Sequence, residues 1–351
     1  MRDVAVVSFA QSKHVSADTQ RNEVETIIPV VREAVERSGI DRAEIGFTIS
    51  GSCDYLSGGP FTFVAGLDAV GAWPPINESH VEMDAAWALY EAWVVLQTGT
   101  VDSALVYGFG KSSMGDLHEI MALQSDPYYV APLWPSMVDL AALQACAYLE
   151  ETGHTEADLA EVAARSSRDA RSNANAVRSG DVDAADALSA PIVAPPLREL
   201  DIAPITDGAA ALVLAAGDLA RQLCDRPAWI RGIDHRIDSQ AMGLRDLSTS
   251  ESARLAAEKA GVADGLFDIA ELHTQFSHEE LILADALGLA DDVVRSPSGG
   301  PLAANPVMSA GLIRFGEVAA RIHNGSVNRG VAHAASGPAL QQNLVAVLEG
   351  N

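Results

Sequence analysis

The feature that most constrains this chain is its alternation of short, almost wholly apolar runs with longer amphipathic ones. The runs at 3–9 (DVAVVSF), 103–108 (SALVYG) and 206–216 (TDGAAALVLAA, a glycine turn leading into a strand) lack the in–out pattern of a half-solvated sheet. Strands of that kind are covered by helices on both faces. After the first, Val24, Ile27, Ile28, Val31, Ala34 and Val35 share one stripe of a helix over 22–38, with a kink expected at Pro29. Further strands are expected at 45–50 and 79–83, a loop at 57–60 (SGGP) and a helix over 61–70. A helix at 85–97 (AAWALYEAWVVLQ) is stopped by Gly99.

From 111 to about 176 the alternation gives way to an excursion. It holds a proline-containing loop with Tyr128, Tyr129 and Trp134, then helices over 137–151 and 156–173. A proline-rich crossing at 190–204 returns the chain to its core. The second half restarts the pattern, with strands at 228–233 and 269–273, helices at 250–260 and 277–287, a loop at 296–311 (SPSGGPLAANPVMSAG), a helix at 312–323 and strands at 330–335 and 343–348. Two halves of like order imply an internally duplicated α/β protein. The junction falls near 220–226, dividing the chain into 1–225 and 226–351.

Charge narrows the partners. The 351 residues carry 23 Lys and Arg against 48 Asp and Glu, a formal charge of −25, which repels a phosphate backbone. The three cysteines, Cys53, Cys146 and Cys224, have no metal-ligand spacing and read as reduced thiols. The apolar run at the N-terminus is too short for a signal peptide, and no stretch of about 20 apolar residues is present to span a bilayer. A cytoplasmic protein is expected, with no membrane span, no nucleic acid and no metal. P-loop, GxGxxG, GxSxG, HExxH and EF-hand motifs are absent.

What remains is a set of polar or glycine-rich segments at element ends: HVEMDAAWALYEAWVVLQTG (80–99), PITDGAAALVL (204–214), ELHTQF (271–276), SPSGGPLAANP (296–306) and AHAASGPA (332–339). In this order the chain resembles the thiolase superfamily, and in particular the sterol-carrier-protein type and its thiolase-like relatives. The resemblance implies a thiolase fold: two duplicated βαβαβαββ halves in a layered α-β-α-β-α architecture. The excursion at about 111–176 belongs to the first half.

The departures from that pattern bear on chemistry. Counting back from Gly99, the family's nucleophilic cysteine falls at Glu82, or with a shifted alignment at Asp84 or Ala85. The second cysteine falls near Ala334, and the family's GHP histidine is Asn305, which donates a hydrogen bond but moves no proton at neutral pH. Ordinary thiolysis or Claisen condensation is therefore not expected, and Cys53 and Cys146 stand in for the nucleophile only with a different geometry. His273 holds the position of the sterol-carrier-type histidine that supports the thioester oxygen. It is either that donor or a structural strand-end histidine. Glu82 is either a helix N-terminal acid favoured by the dipole or a general acid/base whose pKa a dry pocket raises. His333 either shares its proton transfer or is a packed strand histidine. His278, beside Glu279 and Glu280, reads as solvated.

Ser298, Gly299 and Gly300, with Ser336 and Gly337, form loops that either admit a ligand or merely turn. Tyr128, Tyr129 and Trp134 either shape an acyl pocket or pack as a cluster. The resemblance implies one of two functions. One is a carbon–carbon lyase (retro-aldolase) of a β-hydroxyacyl-CoA, such as a sterol side-chain intermediate, with coenzyme A as part of the substrate and no separate cofactor. Its catalytic groups are then Glu82, His273, His333 and Asn305, because all six tyrosines lie before residue 150. The other is a catalytically silent thiolase-like subunit. Either implies a homodimer, or a hetero-oligomer with a thiolase-like paralogue, with or without a small OB-fold partner that carries acyl-CoA. Lys111, Arg231 and Arg236 are candidate contacts for its phosphates.

Overall fold

The computed structural model describes residues 1–71 and 76–350. Its apolar runs assemble into one ten-stranded mixed sheet. Strands β1 (Val4–Gln11), β2 (Phe47–Gly51), β3 (Glu78–Val81), β4 (Ser103–Gly110) and β5 (Gly208–Ala216) lie in the order β3-β2-β4-β5-β1. Strands β6 (Ala228–Ile237), β7 (Ile269–Glu271), β8 (Val294–Arg295), β9 (Arg329–Ser336) and β10 (Gln342–Glu349) lie in the order β8-β7-β9-β10-β6. Numbered from its own first strand, each half has the same order. Each also pairs parallel through its second, third and fourth strands and antiparallel through its fifth. The halves join edge to edge through two antiparallel pairs, Ala5 with Trp229 and Val6 with Ala228.

Eight helices place the site: α1 (Glu23–Ser38), α2 (Ala85–Thr98), α3 (Leu117–Leu123), α4 (Met137–Thr152), α5 (Glu156–Asp169), α6 (Glu251–Ala260), α7 (Ser277–Ala286) and α8 (Ala310–His323). Along β1, Val4 and Val6 face the central helices α2 and α8, whereas Ala5 and Val7 face α1. Along β10, Leu344, Ala346 and Leu348 face the same central pair and Val345 and Val347 face α6 and α7. Both strand faces are thus covered, as the unbroken apolar runs require, and the layers run α-β-α-β-α. The central layer is the largest apolar cluster. Leu312, Ile313, Phe315, Val318 and Ile322 of α8 are buried there, each contributing about 1.5–3 kcal/mol relative to exposure. Helix α2 meets β2 and β4 so closely that a Cβ on Gly51 or Gly108 would come within 2.5 or 2.4 Å of Ala85 atoms.

Several boundaries differ from the sequence reading. Helix α1 runs through Pro29 without interruption. The excursion extends beyond 176 to about 207, because Ile192–Ala194 and Leu197–Arg198 pair with each other and Ile205–Thr206 pairs with Asn305–Pro306, outside the main sheet. Helix α5 ends at Asp169, and past a short 3-10 turn Asn173 Nδ2 donates to the Ser298 carbonyl. His278 is not solvated. The excursion helix α4 covers the first turn of α7, where His278 Nε2 lies 3.1 Å from Gln144 Oε1, and burial pushes its pKa down to about 3.

Candidate active site

The site begins where α2 does. Asp84 is the N-cap, its Oδ1 accepting the N–H of Ala86 at 2.8 Å. The same carboxylate accepts the N–H groups of Gly311 and Leu312 in the first turn of α8, at 2.9 and 3.0 Å. One buried side chain therefore satisfies orphan donors of both central helices, although burial pushes its pKa up. Two residues earlier, Glu82 turns outward. Its Oε1 accepts the Asp54 N–H at 2.5 Å, its Oε2 lies 3.8 Å from His80 Nε2, and its side chain is 43% exposed. The dry surroundings expected for it are not there; it stands at the rim of a cavity.

That cavity, about 510 Å³, opens between the central helices and the excursion. His273 and Asn305 form its polar floor. The His273 main chain donates to His333 Nδ1 at 3.3 Å, and its own Nδ1 accepts the Ala335 N–H at 3.2 Å. Burial, then the neighbouring His333 and Arg314, push its pKa down to about 3, so the ring is neutral. With Nδ1 an acceptor, the proton sits on Nε2, a buried N–H with no partner among the described residues. Asn305 is likewise buried, and neither Oδ1 nor Nδ2 has a partner among the described residues. Two free donors therefore serve one cavity, as oxyanion stabilisation demands.

The remaining expected residues divide. Ser336 and Gly337 line the cavity. His333 does not, and both its ring nitrogens are committed: Nδ1 accepts from His273, and Nε2–H donates to Asn343 Oδ1 at 2.8 Å. It lies on the β9 face turned to α6 and α7, with Val331 and Ala335, and is not brought to Glu82; it supports the His273 backbone. Ser298, Gly299 and Gly300 also lie off the cavity. Ser298 donates to Glu271 Oε2 at 2.7 Å and accepts from Arg314, which is itself paired with Glu271 at 2.6 Å. Gly299, at φ 88°, sits where a Cβ would strike Ala170. The SGG loop is a structural clamp rather than a ligand loop.

Tyr128 and Tyr129 are more than 80% exposed and do not line the cavity, nor does Trp134. Its apolar wall comes instead from Leu117, Met121, Met137, Val138 and Phe276. Lys111 is held by the Asp18 and Arg21 carbonyls, Arg231 by Asp3 and Glu349, and Arg236 by Asp234. The structure adds Cys53, Tyr55 and His118 to the lining. Cys53 follows the carboxyl end of β2, where ligands approach parallel strands. Among the described residues, no group of three or more His, Cys, Asp or Glu is placed to hold a metal ion, and no helix is long and apolar enough to cross a membrane.

No protein-family model matches the chain. It is 28% identical to the acetyl-CoA acetyltransferase of Methanothermobacter thermautotrophicus, over 91% of this chain and 90% of that one. It is 24% identical to human sterol carrier protein 2, over 88% of this chain and 62% of that one. Among solved structures, the Ltp2-ChsH2(DUF35) aldolase superposes with a TM-score of 0.80 at 16% identity, covering 99% of this chain and 97% of that one. The layered fold, the repeated sheet order and these likenesses agree: the chain has the thiolase fold and is similar to thiolase-superfamily proteins, sterol carrier protein 2 among them.

Proposed function

We propose that this protein is an acyl-CoA carbon–carbon lyase that splits a β-hydroxyacyl-CoA into a ketone or aldehyde and a shorter acyl-CoA. The observation that carries the reading is the pairing of two unpartnered buried donors, His273 Nε2–H and Asn305, with the Glu82 carboxylate at the rim of the same cavity and no thiol at the start of α2. Retro-aldol cleavage needs no acyl-enzyme. Glu82 takes the β-hydroxyl proton, the Cα–Cβ bond breaks, and the thioester enolate oxygen is held by His273 and Asn305. The apolar wall suits a bulky hydrocarbon group, such as a sterol side chain. The name aldolase on the structural neighbour, and its pairing there with a DUF35 chain, support both the chemistry and a hetero-oligomer. Reduced cysteines support a cytoplasmic setting.

A second reading, a silent subunit beside an active paralogue, is favoured by the exposed apolar side chains Tyr128, Tyr129 and Leu133, a surface of the kind that partners cover. One experiment separates the two. The purified chain, alone and with its genomic neighbours, is incubated with a steroid β-hydroxyacyl-CoA and followed by mass spectrometry. A ketone or aldehyde plus a shortened acyl-CoA, lost in Glu82→Gln and His273→Ala, supports the lyase. No turnover in any combination that depends on these residues, with tight binding to a cysteine-bearing paralogue, supports the silent subunit.

A further inference from the structure

The lyase reading leaves the proton that Glu82 takes without an assigned route to the enolate carbon. When the Cα–Cβ bond breaks, the enolate carbon must be protonated, and neither floor residue does this: neutral His273 must keep Nε2–H on the enolate oxygen, and Asn305 does not ionise. The other titratable groups of the cavity are few. Asp84 is committed to three backbone N–H groups, and Tyr55 is 72% exposed. His118 belongs to the outer helix α3 and has its ring against Trp134. Cys53 differs from all of these. It is 5% exposed, lines the cavity, and precedes the very residue, Asp54, whose N–H binds the Glu82 carboxylate.

We infer that Cys53 is the acid that protonates the enolate carbon, working as a dyad with Glu82 in the cavity that the unpartnered donors of His273 and Asn305 also line. The inference rests on the lyase reading. Its steps balance without any co-reactant. Glu82 carboxylate removes the β-hydroxyl proton as the carbonyl forms and the Cα–Cβ electron pair moves into the enolate. Cys53 S–H then gives its proton to Cα, and the resulting thiolate recovers a proton from the Glu82 carboxyl. Both groups end as they began. Burial and the Glu82 charge both raise the thiol pKa, which keeps Cys53 protonated at neutral pH. This sets it apart from a thiolase nucleophile, which must be a thiolate.

The test uses two readouts on the full chain with whatever partner it requires: cleavage of a β-hydroxyacyl-CoA, and deuterium uptake at Cα of acetyl-CoA or propionyl-CoA in heavy water, the reverse half of the proton path. Wild type is expected to show both, and Cys53→Ala to lose about 10²-fold or more in each, the usual contribution of a positioned acid. Cys53→Ser, nearly the same size and unable to act as an acid near neutrality, must behave like the alanine variant, with thermal unfolding confirming that at least one of the two is folded. Cleavage and exchange at wild-type rates in a folded variant would overturn the role of Cys53 and leave the lyase intact. Exchange that needs Cys53, without cleavage of any β-hydroxyacyl-CoA, would uphold the acid and sink the lyase. Neither activity in wild type would remove both.

Discussion

His273 carries the clearest chemical statement in this molecule because its tautomer follows from one hydrogen bond to the ring. The Ala335 N–H fixes Nδ1 as acceptor, and Nε2–H is left to the cavity. Its position in ELHTQF marked it in the sequence, but its free nitrogen depends on residues 60 and more positions away. His273→Ala should lower kcat/KM about 10²–10³-fold, the usual cost of one oxyanion donor. Since the ring titrates at about 3, the wild-type to variant ratio should stay flat across neutral pH; a ratio that changed with the titration of an ordinary histidine would contradict the neutral-donor role. His333 read the same way in sequence and proved different in space. Asn343→Ala would orphan its Nε2–H and should cost about 1–3 kcal/mol in urea unfolding, with a smaller loss of activity transmitted through the His273 backbone.

At the scale of elements, the two central helices share one cap. The pattern 80–99 placed α2 and an acid at its start, yet nothing local reveals that Asp84 also binds the first turn of α8, 227 residues later. Asp84→Ala would leave three buried N–H groups unpaired and should destabilise by about 3–5 kcal/mol. Asp84→Asn, which keeps Oδ1 as an acceptor for Ala86 and Leu312, should cost less; equal midpoints for the two variants in chemical denaturation would refute the shared cap. The SGG loop teaches the converse. Its glycines looked like room for a ligand, whereas the clamp of Ser298, Glu271 and Arg314 fills that space.

For the whole molecule, burial of ionisable groups sets a pH window. His14, His273 and His278 titrate at about 3 and His333 at about 4, all depressed chiefly by burial. Between these values and the ordinary value of 6.5 the unfolded chain binds more protons, so stability falls as pH drops below 6.5, by about 2 kcal/mol per histidine near pH 5. Glu279 has the opposite sign. Burial raises its carboxyl from 4.5 to about 8, so the folded chain binds the extra proton and stability declines as pH rises through that interval. For these five groups, the four histidines and the glutamate balance at about pH 7, so the urea midpoint should peak there and fall more steeply on the acid side; a midpoint still rising towards acid would refute it. The sequence by itself determined the layered α/β architecture and the start of α2 at an acid rather than a cysteine, because apolar periodicity and helix signals are local. Only the tertiary structure decided which of Glu82, His273, His333, Asn305 and the glycine loops meet in one cavity, and brought Cys53 there with them. Burial and hydrogen-bond partnership are set by segments hundreds of residues apart, and no local pattern encodes them.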